Sequence, residues 1–176
     1  MGTWKTRGLR GSALEEYINY SNEKYREAGL ALIQKIPTPI TPIDIDKSTR
    51  HITLAYFDKK STVDYIGAVQ GLPVCFDAKE CAAESFSLAN VHEHQFKFMC
   101  EFEKQGGIAF LIIFFKSLDK IMYVPLSDLR VFMDRMYSGG KKSFKFEELN
   151  LEYEIPKKGD IIVHYLESLS LYLLDR

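Results

Sequence analysis

Eight consecutive apolar residues, Ile108 to Phe115, are the feature of this sequence that most constrains its fold. An uninterrupted apolar run of this length is typical of a central strand that is buried on both faces. The run is far shorter than the roughly 20 apolar residues that a helix needs to cross a bilayer, so no membrane partner is expected. The rest of the chain must therefore supply neighbouring strands and helices that cover the sheet.

The flanking segments contain patterns for those elements. Ser12 and Glu15 form a capping box, and Gly29 is a natural stop, so residues 13–28 are predicted to be a helix. Strands are predicted at 30–36, 64–69, 73–80 and 121–124. Helices are predicted from a cap at Asn90 to about Lys104, from a cap at Ser127 over about ten residues, and at 160–174, and irregular structure is predicted at 144–156. This order predicts an α/β fold of mixed α+β type, with a mixed central sheet flanked by helices.

The composition predicts one globular domain over residues 1–176, with 46% apolar and 27% charged side chains. The net charge of −1 provides no overall positive field for a nucleic acid. Basic residues are concentrated locally instead, in residues 1–11, which we expect to form a mobile basic arm, and in residues 130–145. Each basic segment allows contact with a DNA backbone, although each could equally be a solvated surface.

The cysteines indicate a reducing compartment. Cys75, Cys81 and Cys100 are odd in number and show no CxxC spacing, so we predict free thiols rather than a disulfide framework or a zinc site. The basic N-terminal segment is not followed by an apolar stretch, so no signal peptide is predicted. We therefore expect a cytoplasmic protein.

The pattern of the segment at about 43–57 predicts a hairpin that projects from the domain as a stalk. Prolines at 37, 39 and 42 exclude a central strand at this point, and apolar residues alternate on both sides of a polar turn. A projection with a basic tip suits insertion into a nucleic-acid opening, although a plain surface hairpin has the same pattern. The candidate DNA-binding residues of the chain are Arg7, Arg10, Lys47, Arg50, Lys59 and Lys60.

Two aspartates and a lysine form the candidate catalytic motif. Asp77 and Lys79 are two residues apart on a predicted strand, so their side chains share one face. Asp64 lies near the start of the preceding strand and can supply a second carboxylate across the turn. Carboxylate oxygens suit Mg²⁺, which borrows further oxygens from water and phosphate, and Lys79 would stabilise charge that develops on phosphorus. An ordinary exposed Asp–Lys strand face is the alternative.

Two polar residues extend this motif. Thr62 shares the predicted strand face of Asp64, so its hydroxyl or carbonyl oxygen could reach the same metal ion. Gln95 falls in the apolar stripe of its predicted helix, where an amide needs a partner, which could be the backbone or the metal site. His92 and His94 are two residues apart instead of the four of a helical metal pair, so they are not predicted to be ligands.

Several blocks of the sequence resemble one known family. The blocks are Thr6-Arg7-Gly8, Ile33-Gln34-Lys35-Ile36-Pro37-Thr38-Pro39, Ala55-Tyr56-Phe57, Ser61-Thr62-Val63-Asp64-Tyr65, Phe76-Asp77-Ala78-Lys79-Glu80 and His92-Glu93-His94-Gln95. In this order, over almost the whole length, the chain resembles the RecU family of bacterial Holliday junction resolvases, which belongs to the PD-(D/E)xK nuclease superfamily. The resemblance implies a restriction-endonuclease-like fold in which the hairpin near 43–57 is the family's stalk.

The resemblance also implies a homodimer that cuts four-way DNA junctions symmetrically with Mg²⁺, or with Mn²⁺ in its place. It assigns metal binding to Thr62, Asp64, Asp77 and Gln95, and stabilisation of the transition state to Lys79. The sequence departs from the family pattern at the strand acid, which is Asp77 where the family has Glu. It departs again in the stalk, where Asp44 and Asp46 offset the charges of Lys47 and Arg50.

Two other functions remain compatible with these residues. One is a nuclease of the same superfamily with another DNA substrate, such as a restriction or repair endonuclease. The other is a DNA-binding accessory protein of recombination without catalysis, and a recombinase is a further candidate partner. The intact set of Asp64, Asp77 and Lys79 favours an enzyme.

Overall fold

The long apolar run is strand β7, which lies in a five-stranded sheet. The structure is a computed structural model and describes residues 12–57, 62–157 and 161–176. Its elements are α1 (Ala13–Glu27), β1 (Ala31–Lys35), β2 (Ile40–Asp46), β3 (His51–Phe57), β4 (Tyr65–Val69), β5 (Leu72–Cys81), β6 (Ser85–Ser87), α2 (Glu93–Lys104), β7 (Ile108–Phe115), β8 (Lys120–Pro125), α3 (Leu126–Tyr137), β9 (Ser143–Lys145) and α4 (Tyr165–Asp175). Short 3-10 turns lie at Leu88–Asn90, Phe146–Glu148 and Leu151–Tyr153.

The sheet has the order β1-β4-β5-β7-β8 and is mixed, as the sequence predicts. Strands β5 and β7 pair in parallel, and the crossover between them contains α2. The pairs β1–β4, β4–β5 and β7–β8 are antiparallel. Every residue of β7 except Phe114 is buried, because helices cover both faces of the sheet.

Alternate residues of the strands feed two separate hydrophobic cores. Cys75 and Leu111 face the core that α2, α3, β6 and β9 cover, which we call the α2/α3 face. Phe76 and Phe110 face the other core, which α1 and α4 cover, and which we call the α1/α4 face. The two phenylalanine rings stack with their centroids 4.8 Å apart. This alternation decides on which side of the sheet each polar side chain of β5 lies.

The predicted stalk is a two-stranded sheet of its own, formed by β2 and β3. It begins at Ile40, three residues before the predicted boundary, and most of its side chains are exposed. Thr53 donates a hydrogen bond to Asp44 on one face, at 2.8 Å. Exposed apolar residues on its strands include Ile43, Ile45, Ile52, Leu54 and Tyr56. The predicted projecting hairpin is therefore confirmed.

Two predicted helix caps are wrong. Asn90 belongs to the 3-10 turn Leu88–Asn90, so α2 begins later and His92 occupies its N-cap position. Ser127 lies inside the first turn of α3, whose N-cap is Pro125. The Ser127 hydroxyl donates to the Asp128 carboxylate at 3.1 Å instead of capping the helix. The predicted cap at Ser12 is correct, because its hydroxyl oxygen accepts the Glu15 N–H at 3.2 Å.

The C-terminal segment also differs from the prediction. Helix α4 begins at Tyr165 and not at residue 160. Before it, the backbone of Val163 is held by α1, because its N–H donates to the Ser21 hydroxyl at 3.2 Å and its carbonyl accepts the Tyr25 hydroxyl at 3.2 Å. The stretch predicted to be irregular contains most of β9, which pairs with β6. No helix in the described part of the chain is long and apolar enough to cross a membrane.

Candidate active site

A tight turn places Asp64 and Asp77 opposite one another. Gln70 and Gly71 have φ angles of 49° and 85°, which suit a two-residue hairpin turn between β4 and β5. This turn pairs Tyr65 with Phe76, and the next position outward brings Asp64 opposite Asp77. A spacing of thirteen residues around a two-residue turn therefore converts two distant aspartates into neighbours.

Each aspartate is held by the backbone of the opposite strand. The N–H of Asp64 donates to Asp77 Oδ1 at 3.0 Å, and the N–H of Ala78 donates to Asp64 Oδ2 at 2.9 Å. Such reciprocal bonds fix both carboxyl groups without the help of flexible side chains. Sequence reasoning did not anticipate these bonds, although the spacing around Gln70 and Gly71 contains the information.

Lys79 and Gln95 complete a closed set of contacts around Asp77. Asp77 is 1% exposed, and its Oδ2 forms an ion pair with the Lys79 ammonium. The Lys79 Nζ also donates to Gln95 Oε1 at 3.3 Å, and Gln95 Nε2 donates to Asp77 Oδ1 at 3.2 Å. The structure therefore brings together four of the predicted site residues, Asp64, Asp77, Lys79 and Gln95.

Gln95 connects this site to the start of α2. It is the third residue of the helix and is buried, and its Oε1 accepts the N–H of His92 at 3.3 Å. The interpretation of the amide as a partner of the backbone is confirmed, and the amide also bonds to the acid of β5, whereas its part in metal binding stays a prediction. His92 and His94 stack on each other with ring centroids 5.5 Å apart, and neither donates nor accepts a described bond to the two aspartates.

Burial and repulsion change the acidity of Asp64. Burial, followed by the negative charge of nearby Asp77 and a hydrogen bond to it, raises the pKa of Asp64 from 3.8 to about 7. The Ala78 N–H and the Lys79 ammonium act in the opposite direction but are weaker. Two carboxyl groups this close repel each other when both are ionised, so one of them keeps its proton to a higher pH. A nearby cation would stabilise the ionised form of both.

Asp64 is expected to make the metal-free protein less stable as the pH rises. Between pH 3.8 and about 7 the unfolded chain has lost this proton while the folded chain keeps it. The folded state then binds more protons, so stability falls as the pH rises through this window. We expect the free energy of unfolding to fall by about 2 kcal/mol between about pH 5 and pH 8 on account of this group, measured by urea denaturation in EDTA.

Asp64→Asn should remove that part of the pH dependence. The matched control is Asp134→Asn, which changes an exposed aspartate on α3 and should leave the dependence as in the wild type. Equal slopes for the wild type and Asp64→Asn would show that Asp64 ionises normally.

The donor set fits a hard divalent cation that retains water. Within the described ranges, no three His, Cys, Asp or Glu side chains converge on one point, so a site closed by protein ligands alone is not formed there. Mg²⁺ is usually bound by one or two carboxylates together with waters and substrate phosphates. Asp64 and Asp77 provide those carboxylates, and the buried Asp77 Oδ2, whose charge is balanced by the Lys79 ammonium, accepts no hydrogen bond in the described part of the chain.

Comparison with known proteins identifies the family. The sequence model described as RecU: Recombination protein U matches residues 9–171. The chain belongs to the RecU family. It is 45% identical over 157 residues to the Holliday junction resolvase RecU of Pediococcus pentosaceus, an alignment that covers 84% of this chain and 78% of that relative. It is 39% identical over 173 residues to the protein of the same name from Staphylococcus carnosus, covering 96% of this chain and 83% of the relative.

Among solved structures, the fold is similar to Hjc, a Holliday junction resolvase of Archaeoglobus fulgidus. The TM-score is 0.41 and the identity 9%, with 66% of this chain and 78% of that chain covered. A likeness at this level carries no conclusion about the site.

The remaining predicted residues are distributed as follows in this RecU family chain. Thr62 is half-buried two residues before Asp64, and its part in metal binding stays a prediction. Lys47 and Arg50 are exposed at the tip of the hairpin, where Arg50 has a φ angle of 58°. Arg7, Arg10, Lys59 and Lys60, together with the predicted arm 1–11, lie outside the described residues.

The acidic residues of the hairpin tip are engaged locally. The Asp46 carboxylate accepts the Ser48 and Thr49 hydroxyls at 2.6 and 2.7 Å, and these bonds lower the pKa of Asp46 to about 2. Asp46 is therefore negatively charged next to Lys47 and Arg50 at neutral pH. The tip of the hairpin is close to charge balance, and the role of Lys47 and Arg50 in DNA binding stays a prediction.

Proposed function

We propose that this chain is a structure-specific endonuclease that resolves four-way DNA junctions by paired nicks during recombination and repair. The chain belongs to the RecU family, and its relatives carry the name of Holliday junction resolvases. The observation that carries the catalytic part of the proposal is the pairing of Asp64 with Asp77, with Lys79 and Gln95 in contact with the second acid. A binding protein without catalysis has no need of two carboxylates held together at such a cost in repulsion.

In the proposed mechanism, Asp64 and Asp77 hold Mg²⁺, or Mn²⁺ in its place. Thr62 and Gln95 help to bind or position the same ion. When bound, such an ion polarises a phosphate oxygen and lowers the pKa of a coordinated water. The backbone N–H groups of Asp64 and Ala78 keep the two carboxylates facing one another before substrate arrives. This preorganisation removes a rearrangement that would otherwise accompany substrate binding.

Lys79 is proposed to stabilise the negative charge that builds on the phosphate oxygens. Its ammonium lies beside Asp77 and donates to Gln95, and its side chain is 17% exposed. Partial burial strengthens its interaction with a charged substrate, because solvent screening is reduced. Gln95 is a positioning residue in this scheme, since its amide bonds to both Lys79 and Asp77.

Two further properties belong to the proposal. Paired symmetric nicks require two active sites, so we propose that the chain acts as a homodimer. Free thiols at Cys75, Cys81 and Cys100 support a reducing compartment, which for this function is the cytoplasm. A recombinase is a candidate partner in the same process.

The proposed function is tested by a cleavage assay on a mobile four-way junction with each strand end-labelled in turn. Wild-type protein with Mg²⁺ is expected to give nicks at symmetric positions on two opposing strands, and none in EDTA. A linear duplex of the same sequence is the control substrate. Faster cleavage of the linear duplex would instead indicate a nuclease with another DNA substrate, and binding without any nicking would indicate an accessory protein.

A further inference from the structure

A basic loop between α3 and β9 lies on the same side of the sheet as the candidate active site. Cys75, Asp77, Lys79 and Cys81 alternate along β5 and share one face. Cys75 and Cys81 belong to the hydrophobic core of the α2/α3 face, which also contains Phe86 of β6 and Phe144 of β9. The loop that precedes β9, residues 138–142, therefore lies on the α2/α3 face of the sheet, which is also the face of Asp77 and Lys79.

The backbone of this loop is fixed by its neighbours. Gly139 N–H donates to the Met136 carbonyl at 3.0 Å and Gly140 N–H donates to the Arg135 carbonyl at 2.9 Å. The Arg135 guanidinium in turn donates to the Ser143 carbonyl at 2.7 Å. A Cβ on Gly140 would lie 2.8 Å from the Arg135 carbonyl oxygen, so the close approach requires glycine at this position. These bonds therefore hold the backbone of Lys141 and Lys142, which lie between Gly140 and Ser143, in a defined place.

A direct bond joins the loop to the segment that leads into the active site. The Leu88 N–H donates to the Lys142 carbonyl at 3.0 Å. Leu88 starts the 3-10 turn that leads to His92, the N-cap of α2 and a hydrogen-bond partner of Gln95. Four residues of chain reach at most about 14 Å, so Lys142 lies close to this end of α2.

Lys141 and Lys142 are exposed, and no carboxylate in the described part of the chain forms an ion pair with either. The Glu148 carboxylate, in the 3-10 turn that follows β9, forms an ion pair with Arg135 at 2.5 Å. The loop thus presents two exposed cations on a fixed backbone, and the charge of Lys141 also acts on Glu148, whose carboxylate Arg135 already binds. The hairpin tip has the opposite character, because Asp46 lies beside its basic residues.

We propose that Lys141 and Lys142 bind the phosphate backbone of one arm of the DNA junction, on the side of the sheet where the bond is cut. This inference rests on the proposed function and assigns a second DNA contact to the chain. DNA is the partner that the placement favours, because the backbone of Lys142 is bonded to the turn that leads into α2, on the side of the sheet that carries Asp77 and Lys79. The loop would orient the arm, and the acids and Lys79 would act on the strand.

The test compares two double variants with equal loss of charge. Lys141→Ala/Lys142→Ala is expected to weaken binding to a four-way junction by about tenfold in Ca²⁺, and to reduce the slope of log Kd against log salt by about 2. The control, Lys24→Ala/Arg26→Ala, removes two cations from α1 on the opposite face and should change affinity by less than about twofold. Hydroxyl-radical footprints should lose protection of one arm near the nick in the first variant alone.

Three outcomes overturn the inference. The loop variant could bind with wild-type affinity and salt slope, the α1 control could lose as much affinity, or the footprint near the nick could persist. Equal loss of affinity in the control would show that net charge causes the weaker binding, and a persistent footprint would show that another surface contacts this arm of the DNA. Cleavage by wild-type protein is measured on the same junction with Mg²⁺, so absence of nicking would count against the proposed function, whereas the binding comparison decides the role of the loop.

Discussion

Lys79→Ala is expected to slow junction cleavage by on the order of 10²–10³-fold while junction affinity changes by less than about threefold. The ammonium of Lys79 lies beside Asp77 and Gln95 at the candidate metal site, where charge on the phosphate would develop. Its positive charge also lowers the pKa of Asp64, so its removal should shift the pH profile of the residual activity upward. Single-turnover cleavage and binding in Ca²⁺ measure the two effects separately.

The control for this variant is Lys104→Ala, which makes the same change on an exposed lysine at the far end of α2. It should cleave at the wild-type rate. Because Lys79→Ala leaves Asp77 without its cation, Lys79→Gln is measured as well, since glutamine keeps a hydrogen-bond donor and lacks the charge. Rapid cleavage by both folded Lys79 variants would show that another group stabilises the transition state.

Asp77→Asn is expected to reduce metal-dependent cleavage by on the order of 10³-fold or more. Asparagine is close to aspartate in shape and can still accept the Asp64 N–H and the Gln95 amide, so the fold should be kept. The change removes one of the two carboxylates proposed to hold the ion. It also removes a charge that raises the pKa of Asp64, so this pKa should move back toward its ordinary value. Cleavage across a Mg²⁺ titration and pH-dependent unfolding measure the two consequences.

Asp77→Glu provides the matched comparison. It restores the acid that the family resemblance implies and lengthens the side chain by one methylene. Because it keeps the charge, it should retain far more activity than Asp77→Asn. Asn and Glu variants of equal activity would contradict a ligand role for this carboxylate.

The arrangement of the site was largely predictable because local rules determine it. The separation of two residues places Asp77 and Lys79 on one face of β5, and the apolar neighbours of Gln95 predict its inward direction. The convergence of Asp64 with Asp77 follows from the turn at Gln70 and Gly71, since a two-residue turn sets the register of the whole hairpin. The apolar run of β7 predicts its burial in the same way.

The errors concern positions where tertiary contacts override local preference. Asn90 is a good cap residue, but the bond of Leu88 to the Lys142 carbonyl anchors a 3-10 turn there. The start of α4 is delayed because α1 holds the backbone of Val163. Strands β6 and β9 have three residues each, too few for a periodic pattern to be recognised. The loop with Lys141 and Lys142 gains its position only through these long-range contacts.

The central claim is that Asp64 and Asp77 bind one divalent ion together. It is tested most directly by anomalous scattering from crystals soaked with Mn²⁺. A single Mn²⁺ peak between the two carboxylates, with oxygen distances of about 2.0–2.3 Å and no peak in Asp77→Asn crystals, is the predicted result. An ion bound elsewhere, or none at concentrations that support cleavage, would contradict the account.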